Sequence, residues 1–515
     1  MKYPIGQQDF QSIREEGYVY IDKTDLIYDL VHNSKYVFLS RPRRFGKSLL
    51  LSTIKAYLEG KKELFGGLRI ETLEKDWEKY PVLHLSLSRI DSGNADSLTG
   101  VLDEQFRIWE KELGIKNENP DFSSRFSTII REAHRNIGKK VVILIDEYDN
   151  PLINTLHDSD IHEKNRSLLK SLYSNLKDLD SHIKFGMLTG VSRFSKMTIF
   201  SGLNNLNDIS FDNKYSTLCG FTYQEIVDNF KPGIEFLAQE LEIDSQKAVQ
   251  KIADWYDGYH FSEKCPDIYN PFSLLNALDK GKIRPYWLET ATPEFLVEKL
   301  KYSQQLLSQI FNDDVEQADL TTSDTSFSSP QALLYQTGYL TIKSYDKGND
   351  TYKVGIPNQE VKKGFLPTLL SRFIDKDKPR TNKEALFIKK ALEDGDIHLF
   401  MEQLSIFLGS IPYSVMPEIS EKYFQNTLYL LFTVMGLEIE AEKATSFGRS
   451  DLIIKTNKFI YIFELKLNKS AKTALKQIED KEYDLPFRAD GRKIIKIGLG
   501  FSSKTRALSS WAIAE

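Results

Sequence analysis

Apolar and polar positions change their rhythm along this chain, and the changes divide it. Over residues 1–215, short β-rich runs alternate with helical patterns. The runs are Tyr36-Val-Phe-Leu-Ser40, Val82-Leu-His-Leu-Ser-Leu87, Val141-Val-Ile-Leu-Ile145 and Lys184-Phe-Gly-Met-Leu-Thr189. Three of them are mostly apolar rather than alternating, as strands covered on both faces are, so parallel βα units are expected. From about 220 to 325 the pattern is mainly helical and aromatic, and the cluster Trp255-Tyr-Asp-Gly-Tyr-His260 reads as core. A helix ending at Gly338 is then followed by the strand Tyr339-Leu-Thr-Ile-Lys343, a polar turn at Asp346–Asp350 and a second strand, Tyr352-Lys-Val-Gly-Ile356. A helix with a small hairpin behind it is the outline of a winged helix. Asp375-Lys-Asp-Lys-Pro-Arg-Thr-Asn-Lys383 is charged and lacks apolar residues, so a linker is expected there. Beyond it come helices, a hairpin, a helix and the strand Lys493-Ile-Ile-Lys-Ile-Gly-Leu499.

Composition narrows the field. At 515 residues the chain is too long for one core, and 41% hydrophobic with 27% charged residues is a globular balance. The net charge of −5 gives no overall basic excess, so any nucleic-acid surface must be local. Cys219 and Cys265 are the only cysteines, too few for a disulfide framework or a four-thiolate zinc site. The eight histidines show no close pair at ligand spacing. No membrane span or secretory pattern is evident, so a cytoplasmic protein is expected.

The first candidate chemistry lies at Ser40-Arg-Pro-Arg-Arg-Phe-Gly-Lys-Ser48, between an apolar strand and the helix that begins Leu49-Leu-Leu. Strand, loop, Gly-Lys-Ser and helix form the context of a phosphate-binding loop. Gly46 would let backbone approach the phosphates, Lys47 would reach the β/γ oxygens, and Ser48 would hold Mg²⁺. The first glycine of that motif is replaced by Arg41; with Arg43 and Arg44 it would add charge near a polyphosphate. Val141-Val-Ile-Leu-Ile-Asp-Glu147 is a second element, an apolar strand ending in two carboxylates as a Walker B motif does. Asp146 would bind Mg²⁺ and Glu147 would orient the attacking water. Thr189 would sense the γ-phosphate. Arg193 is either a neutraliser of transition-state charge or an ordinary surface arginine.

Tyr3-Pro-Ile-Gly6, Tyr20-Ile-Asp-Lys-Thr24, Arg41-Pro-Arg-Arg-Phe-Gly-Lys-Ser48, Asp146-Glu-Tyr-Asp149, Thr189-Gly-Val-Ser-Arg193 and Ser201-Gly-Leu-Asn-Asn205 occur in that order. Together they resemble the AAA-ATPase-like domain of a large, mostly bacterial family that also carries a C-terminal PD-(D/E)XK nuclease-like domain. The resemblance implies ATP and Mg²⁺ as cofactors, and that the arginine-rich loop is a trait of the family.

The second candidate is Gly448-Arg-Ser-Asp-Leu-Ile-Ile-Lys-Thr-Asn-Lys-Phe-Ile-Tyr-Ile-Phe-Glu-Leu-Lys466, two β-rich runs about a turn at Asn457-Lys458. A two-residue turn pairs Thr456 with Phe459 and sets Asp451 opposite Glu464, with Lys466 on the same face. Directly opposed carboxylates repel, and a divalent cation reverses that sign. Lys466 would position water or stabilise charge at phosphorus. The family resemblance extends here: Asp451, Glu464 and Lys466 match the nuclease core, Gln477 matches the glutamine of its next helix, and Glu421 matches its first acidic position. The resemblance thus implies Asp451, Glu464 and Glu421 as metal ligands. Residues 421–515 hold 16 Lys and Arg against 12 Asp and Glu. Lys469, Lys472 and Lys476 form either a phosphate-contacting stripe or a solvated helix face.

The expected architecture is an α/β multidomain chain. It has a P-loop NTPase parallel-sheet domain at 1–215, a helical middle with a winged helix at 216–374, and a PD-(D/E)XK, restriction-endonuclease-like domain at 384–515. The expected function is Mg²⁺-dependent cleavage of nucleic acid, DNA before RNA, under ATP control, with no membrane partner and with self-association left open. The rival is an ATP-dependent switch or scaffold whose nuclease-like module is catalytically silent.

Overall fold

The computed structural model describes residues 1–90, 97–116, 119–156, 158–193, 205–288, 294–301, 303, 305–321, 329–412, 419–445 and 448–514. Two compact units divide the chain: residues 1–287 with 314–358, and residues 288–313 with 359–515. This differs from the three-part division expected. Most of the middle belongs to the first unit, and the chain passes between units at three points. Ser201–Asn204 of the quoted motif lie outside the described residues.

The first unit is built on a parallel sheet in the order β2-β3-β4-β1-β5, with β1 Tyr36–Ser40, β2 Val82–Ser86, β3 Val141–Asp146, β4 Ile183–Gly190 and β5 Asn207–Asp208. The four apolar runs of the sequence are its four long strands. β3 is buried at every residue and β4 at all but one, which is why these runs read as continuous rather than alternating. β4 lies between β1 and β3, so the residues ending it stand beside both candidate loops. A short pair, β6 Phe221–Thr222 with β7 Ile268–Tyr269, helps to tie the helical part together. Tyr256 and Tyr259 of the aromatic cluster are buried, as a core reading requires.

The helix Pro330–Thr337 and the hairpin of β9 Thr341–Asp346 and β10 Thr351–Gly355, joined by β8 Asp314–Val315, have the winged-helix outline. Six of the helix's eight residues are buried, Gln331 through Gln336, so this helix offers no free face to a nucleic-acid groove. It packs instead against the nucleotide-loop region. Gln336 accepts the Arg193 N–H at 2.9 Å and donates to the Leu320 carbonyl at 2.9 Å. Gly338, just past the helix, sits at φ +89°, where an added Cβ would lie 2.8 Å from Pro42 Cβ.

The second unit holds a mixed sheet in the order β11-β12-β13-β14-β15: β11 Glu438–Thr445, β12 Gly448–Lys455, β13 Phe459–Leu467, β14 Lys493–Ser502 and β15 Ala507–Ala514. β13 and β14 are parallel, joined through the helix Ala471–Asp480; the other neighbours are antiparallel. The expected linker is corrected here. Lys378–Lys383 opens the helix Lys378–Asp394, with Pro379 in its first turn, where a missing N–H costs nothing. Its charges are the solvent side of an amphipathic helix that buries Thr381, Ala385, Ile388, Ala391 and Leu392.

Gly338→Ala should lower stability by about 2 kcal/mol, from the left-handed backbone and the clash with Pro42. Gly409→Ala, with nothing within 4 Å of the added Cβ, should be neutral or stabilising by up to about 1 kcal/mol. Urea midpoints of both proteins check the pair.

Candidate functional sites

Two side chains beneath the loop hold it in shape. Arg41, 2% exposed, turns away from solvent. One Nη donates to the Ser40 and Ser210 carbonyls at 2.9 and 2.8 Å, and the guanidinium lies over the Phe261 ring at 4.2 Å. The expectation that Arg41 adds charge near a polyphosphate is corrected: it anchors the loop from below. Phe45 is equally buried, edge-on to Tyr259 at 4.9 Å and Phe261 at 5.5 Å. Backbone bonds complete the hold, Gly220 N–H to the Phe45 carbonyl at 3.1 Å and Trp287 indole N–H to the Arg43 carbonyl at 3.2 Å. Arg44 (φ +68°) and Gly46 (φ +94°) make the turns that the loop needs.

Above this base lies a cavity of about 560 Å³. Arg43, Arg44, Gly46, Lys47, Ser48 and Glu147 line it at one end, and Ile5, Val19, Ile21, Phe221, Phe272 and Leu275 line an apolar part. Lys47 is buried and donates to the Arg41 and Pro42 carbonyls at 2.9 and 3.1 Å. Burial lowers its pKa, while Asp146, Glu147 and Asp149 pull the other way. Asp146 is buried next to Glu147 and is not among the lining residues, its Oδ1 accepting the Thr189 hydroxyl at 2.6 Å and the Glu147 N–H at 3.0 Å. Glu147 is half-buried at φ +53°, and burial raises its pKa.

Two expectations change on the next strand. Thr189 is fully buried and spends its hydroxyl on Asp146, so it orients that carboxylate rather than facing the cavity. Arg193 pairs with Asp208 and lies over Phe211 at 5.5 Å, away from the cavity lining, because β5 presents a carboxylate at that point. A residue the sequence did not assign, Asp149, is buried and accepts the Val191 N–H at 3.0 Å and that of Ser192, fixing the turn after β4. Its signal was the third acid of Asp146-Glu-Tyr-Asp149.

In the second unit the hairpin has the expected register. Leu452 pairs with Phe463, Ile453 with Ile462, Ile454 with Tyr461 and Lys455 with Ile460, and the Thr456 N–H closes the turn on the Phe459 carbonyl at 2.9 Å. One step beyond, the half-buried Asp451 accepts the Leu465 N–H at 2.7 Å. Glu464 is 2% exposed; its Oε1 takes Lys466 Nζ at 2.8 Å, while Oε2 has no partner among the described residues. Burial raises the Asp451 carboxyl to about 7, with the nearby Glu464 adding to the rise, and burial raises Glu464 too. For Lys466 burial opposes the charge, but Glu464, Glu421 and Asp451 outweigh it and raise its pKa, so it stays an ammonium.

The remaining residues fall around this pair. Glu421 starts the helix Glu421–Val434, accepts the Leu467 N–H at 2.9 Å and lies 3.8 Å from Lys466 Nζ. It thus stands in the same cluster, its charge acting on both Asp451 and Glu464. Gln477 donates to Tyr483 Oη at 3.3 Å. Tyr483, unassigned from sequence, is buried and its hydroxyl feels both Asp451 and Glu464. Lys472 and Lys476 are exposed on the helix Ala471–Asp480, whereas Lys469 precedes its cap, so the three do not form one helical stripe. Among the described residues no three His, Cys, Asp or Glu groups form a ready metal cage. The orphaned buried oxygen of Glu464 beside Asp451 nevertheless fits a hard cation, since Mg²⁺ is commonly held by one or two carboxylates with waters.

The raised Asp451 pKa fixes a sign. Between pH about 4 and 7 the folded chain keeps a proton that the unfolded chain has lost, so this group's contribution to stability falls as pH rises through that window. In EDTA, Asp451→Asn should therefore melt higher than the parent at pH 8, with the difference gone near pH 4, as thermal melts at both values can check.

Comparison with known proteins agrees with both units. The family described as "Predicted AAA-ATPase" matches residues 4–200, and the PD-(D/E)XK nuclease superfamily matches residues 419–511. A relative from Azotobacter chroococcum mcd 1, described as an uncharacterized protein in the vnfD 5' region, is 36% identical over 522 residues, which cover 99% of this chain and 98% of the relative. No helix among the described residues is long and apolar enough to cross a membrane. With one match on the sheet that carries the arginine-rich loop, one on the carboxylate–lysine hairpin, and likeness to a relative over almost the whole length, the chain belongs to the AAA-ATPase-like family with a C-terminal PD-(D/E)XK nuclease-superfamily domain.

Proposed function

We propose that the chain binds ATP in the first unit and hydrolyses nucleic-acid phosphodiesters in the second, with the nucleotide state governing cleavage. The observation that carries the reading is the Asp451–Glu464 pair, two mutually repelling carboxylates with a buried unpartnered oxygen and an ammonium beside them. Such a pair is costly unless a cation or a proton offsets it. Asp451 and Glu464 would hold Mg²⁺, which when bound supplies charge to polarise a phosphoryl oxygen and acidify a bound water. Lys466, kept protonated by its acidic neighbours, would stabilise the negative charge that grows on the phosphoryl oxygens as water attacks phosphorus and the bond to the leaving oxygen breaks. Gln477 would orient Tyr483 toward the same pair.

For ATP, Arg43, Arg44, Gly46 and Lys47 would meet the polyphosphate, Ser48 and Asp146 would hold its Mg²⁺, and Glu147 would orient the attacking water. Thr189 would act through Asp146. The apolar part of the cavity suits the base. Connectivity supports the coupling: Trp287, bonded to the Arg43 carbonyl, is the last residue before the chain enters the second unit. The wing segment 314–358 is likewise flanked on both sides by second-unit chain.

Labelled DNA and RNA incubated with and without Mg²⁺ and ATP test this. Cleavage should require Mg²⁺ and change with nucleotide, with DNA the better substrate. Asp451→Ala and Lys466→Ala should each lose cleavage by at least about 100-fold while ATP binding is unchanged. Only Asp451→Ala should lose Mn²⁺ binding. Glu147→Gln should keep ATP affinity and slow its hydrolysis. ATP binding with no cleavage of either nucleic acid would replace this reading with the switch or scaffold.

A further inference from the structure

The C-terminal sheet has two edges of opposite character. β11 carries Glu438, Glu440, Glu442 and Lys443 within eight residues, charges that discourage a further strand. β15, Ala507-Leu-Ser-Ser-Trp-Ala-Ile-Ala514, has no charge and no proline, and none of its eight residues is buried. One side of it pairs with β14, and among the described residues no strand pairs with the other.

The surface beside this edge is apolar as well. The helices Lys378–Asp394 and Ile397–Gly409 pack on each other, and the second packs on β15. The His398 ring meets Trp511 edge-on at 5.5 Å. On these three elements stand Leu386, Phe387, Leu399, Ile406 and Trp511, exposed by 67, 55, 43, 55 and 38%. They are five of the twelve large exposed apolar side chains among the described residues, so the clustering is marked. Leu399 and Ile406, seven residues apart, share one face of their helix, and the five side chains together expose on the order of 500 Å² of apolar surface.

We infer that this face docks a second copy of the chain, with β15 pairing antiparallel to its counterpart across a two-fold axis and the two helix pairs closing over the join. A strand without charges meets itself with no like-charge opposition, and an isologous contact needs only one self-complementary patch. An extended peptide would satisfy the strand edge but leave the four helical side chains in water, whereas a second copy covers both. Two patches bring roughly 1,000 Å² of apolar surface before any strand backbone is counted, approaching the ~1,200–2,000 Å² of stable interfaces.

Sedimentation of the full chain from 0.1 to about 100 μM, with hydrogen exchange of residues 507–514, is the test. The parent chain should be a dimer at the high end, with β15 amides protected there and exchanging faster on dilution. Leu399→Glu with Ile406→Glu, on exposed helix positions, should raise the dissociation constant by more than about tenfold at unchanged melting temperature. Trp511→Lys should do the same from the strand side. A parent chain that stays monomeric throughout, a dimer indifferent to these changes, or a dimer whose β15 amides exchange as in the monomer would each overturn the inference.

Discussion

A guanidinium buried under a phosphate-loop-like turn sets the terms for the first unit. Arg41 has no carboxylate in contact among the described residues. Two backbone carbonyls and the face of Phe261 offset part of its burial, while its Nε and second Nη have no hydrogen-bond partner among the described residues. Removing a charge from water costs several kcal/mol unless its hydrogen bonds are replaced, so whatever surrounds Arg41 must be rigid and correctly placed. That requirement recruits the middle of the chain. Phe261 and Tyr259 press on Phe45, Trp287 holds the Arg43 carbonyl, and Gly338 leaves room for Pro42. The winged-helix outline is accordingly a brace on the loop, with its helix spent on packing.

The second unit is governed by the opposite electrostatic problem. Asp451 and Glu464 are brought together by a hairpin register that the two-residue turn at Asn457-Lys458 fixes, on strands whose paired residues are almost all buried, covered on both faces. The carboxylates are thus placed by the backbone pairing of two buried strands, in a spot they would not choose. Lys466 relieves part of the conflict and a proton on Asp451 relieves more. A site strained in this way is ready for a cation, and the strain belongs to the metal-free fold.

Much of this is legible in the sequence, for identifiable reasons. Three of the four long strands are readable because a mostly apolar run of five to eight residues, too short for a helix, has to be covered on both faces, and β2 is readable from its alternation. The hairpin register follows from a two-residue turn and the period of two. Arg41 is not readable, because sequence shows a charge but not its direction; nothing in Ser40-Arg-Pro-Arg-Arg reveals that one of three arginines points inward. Thr189 and Arg193 fall on the right strand end but take different partners from those expected, since Asp146 and Asp208 reach them from other strands. Residues 375–383 read as a linker because a charged, proline-opened helix start has a linker's composition, and only the later spacing of Ala385, Ile388 and Leu392 marks its buried face. Tyr483 acts through folded contacts that no local pattern displays.

The central claim is that burial of Arg41, with the aromatic shell around it, replaces the missing first glycine and holds the loop ready for a polyphosphate. Calorimetric titration of MgATP into the parent protein and into Arg41→Gly, with folding of both verified by circular dichroism, tests it most directly. The substitution restores the ordinary glycine of a phosphate-binding loop but removes the anchor. The account predicts that ATP affinity falls by at least about tenfold, a loss of roughly 1.4 kcal/mol or more. Equal or tighter binding by the folded variant would contradict it.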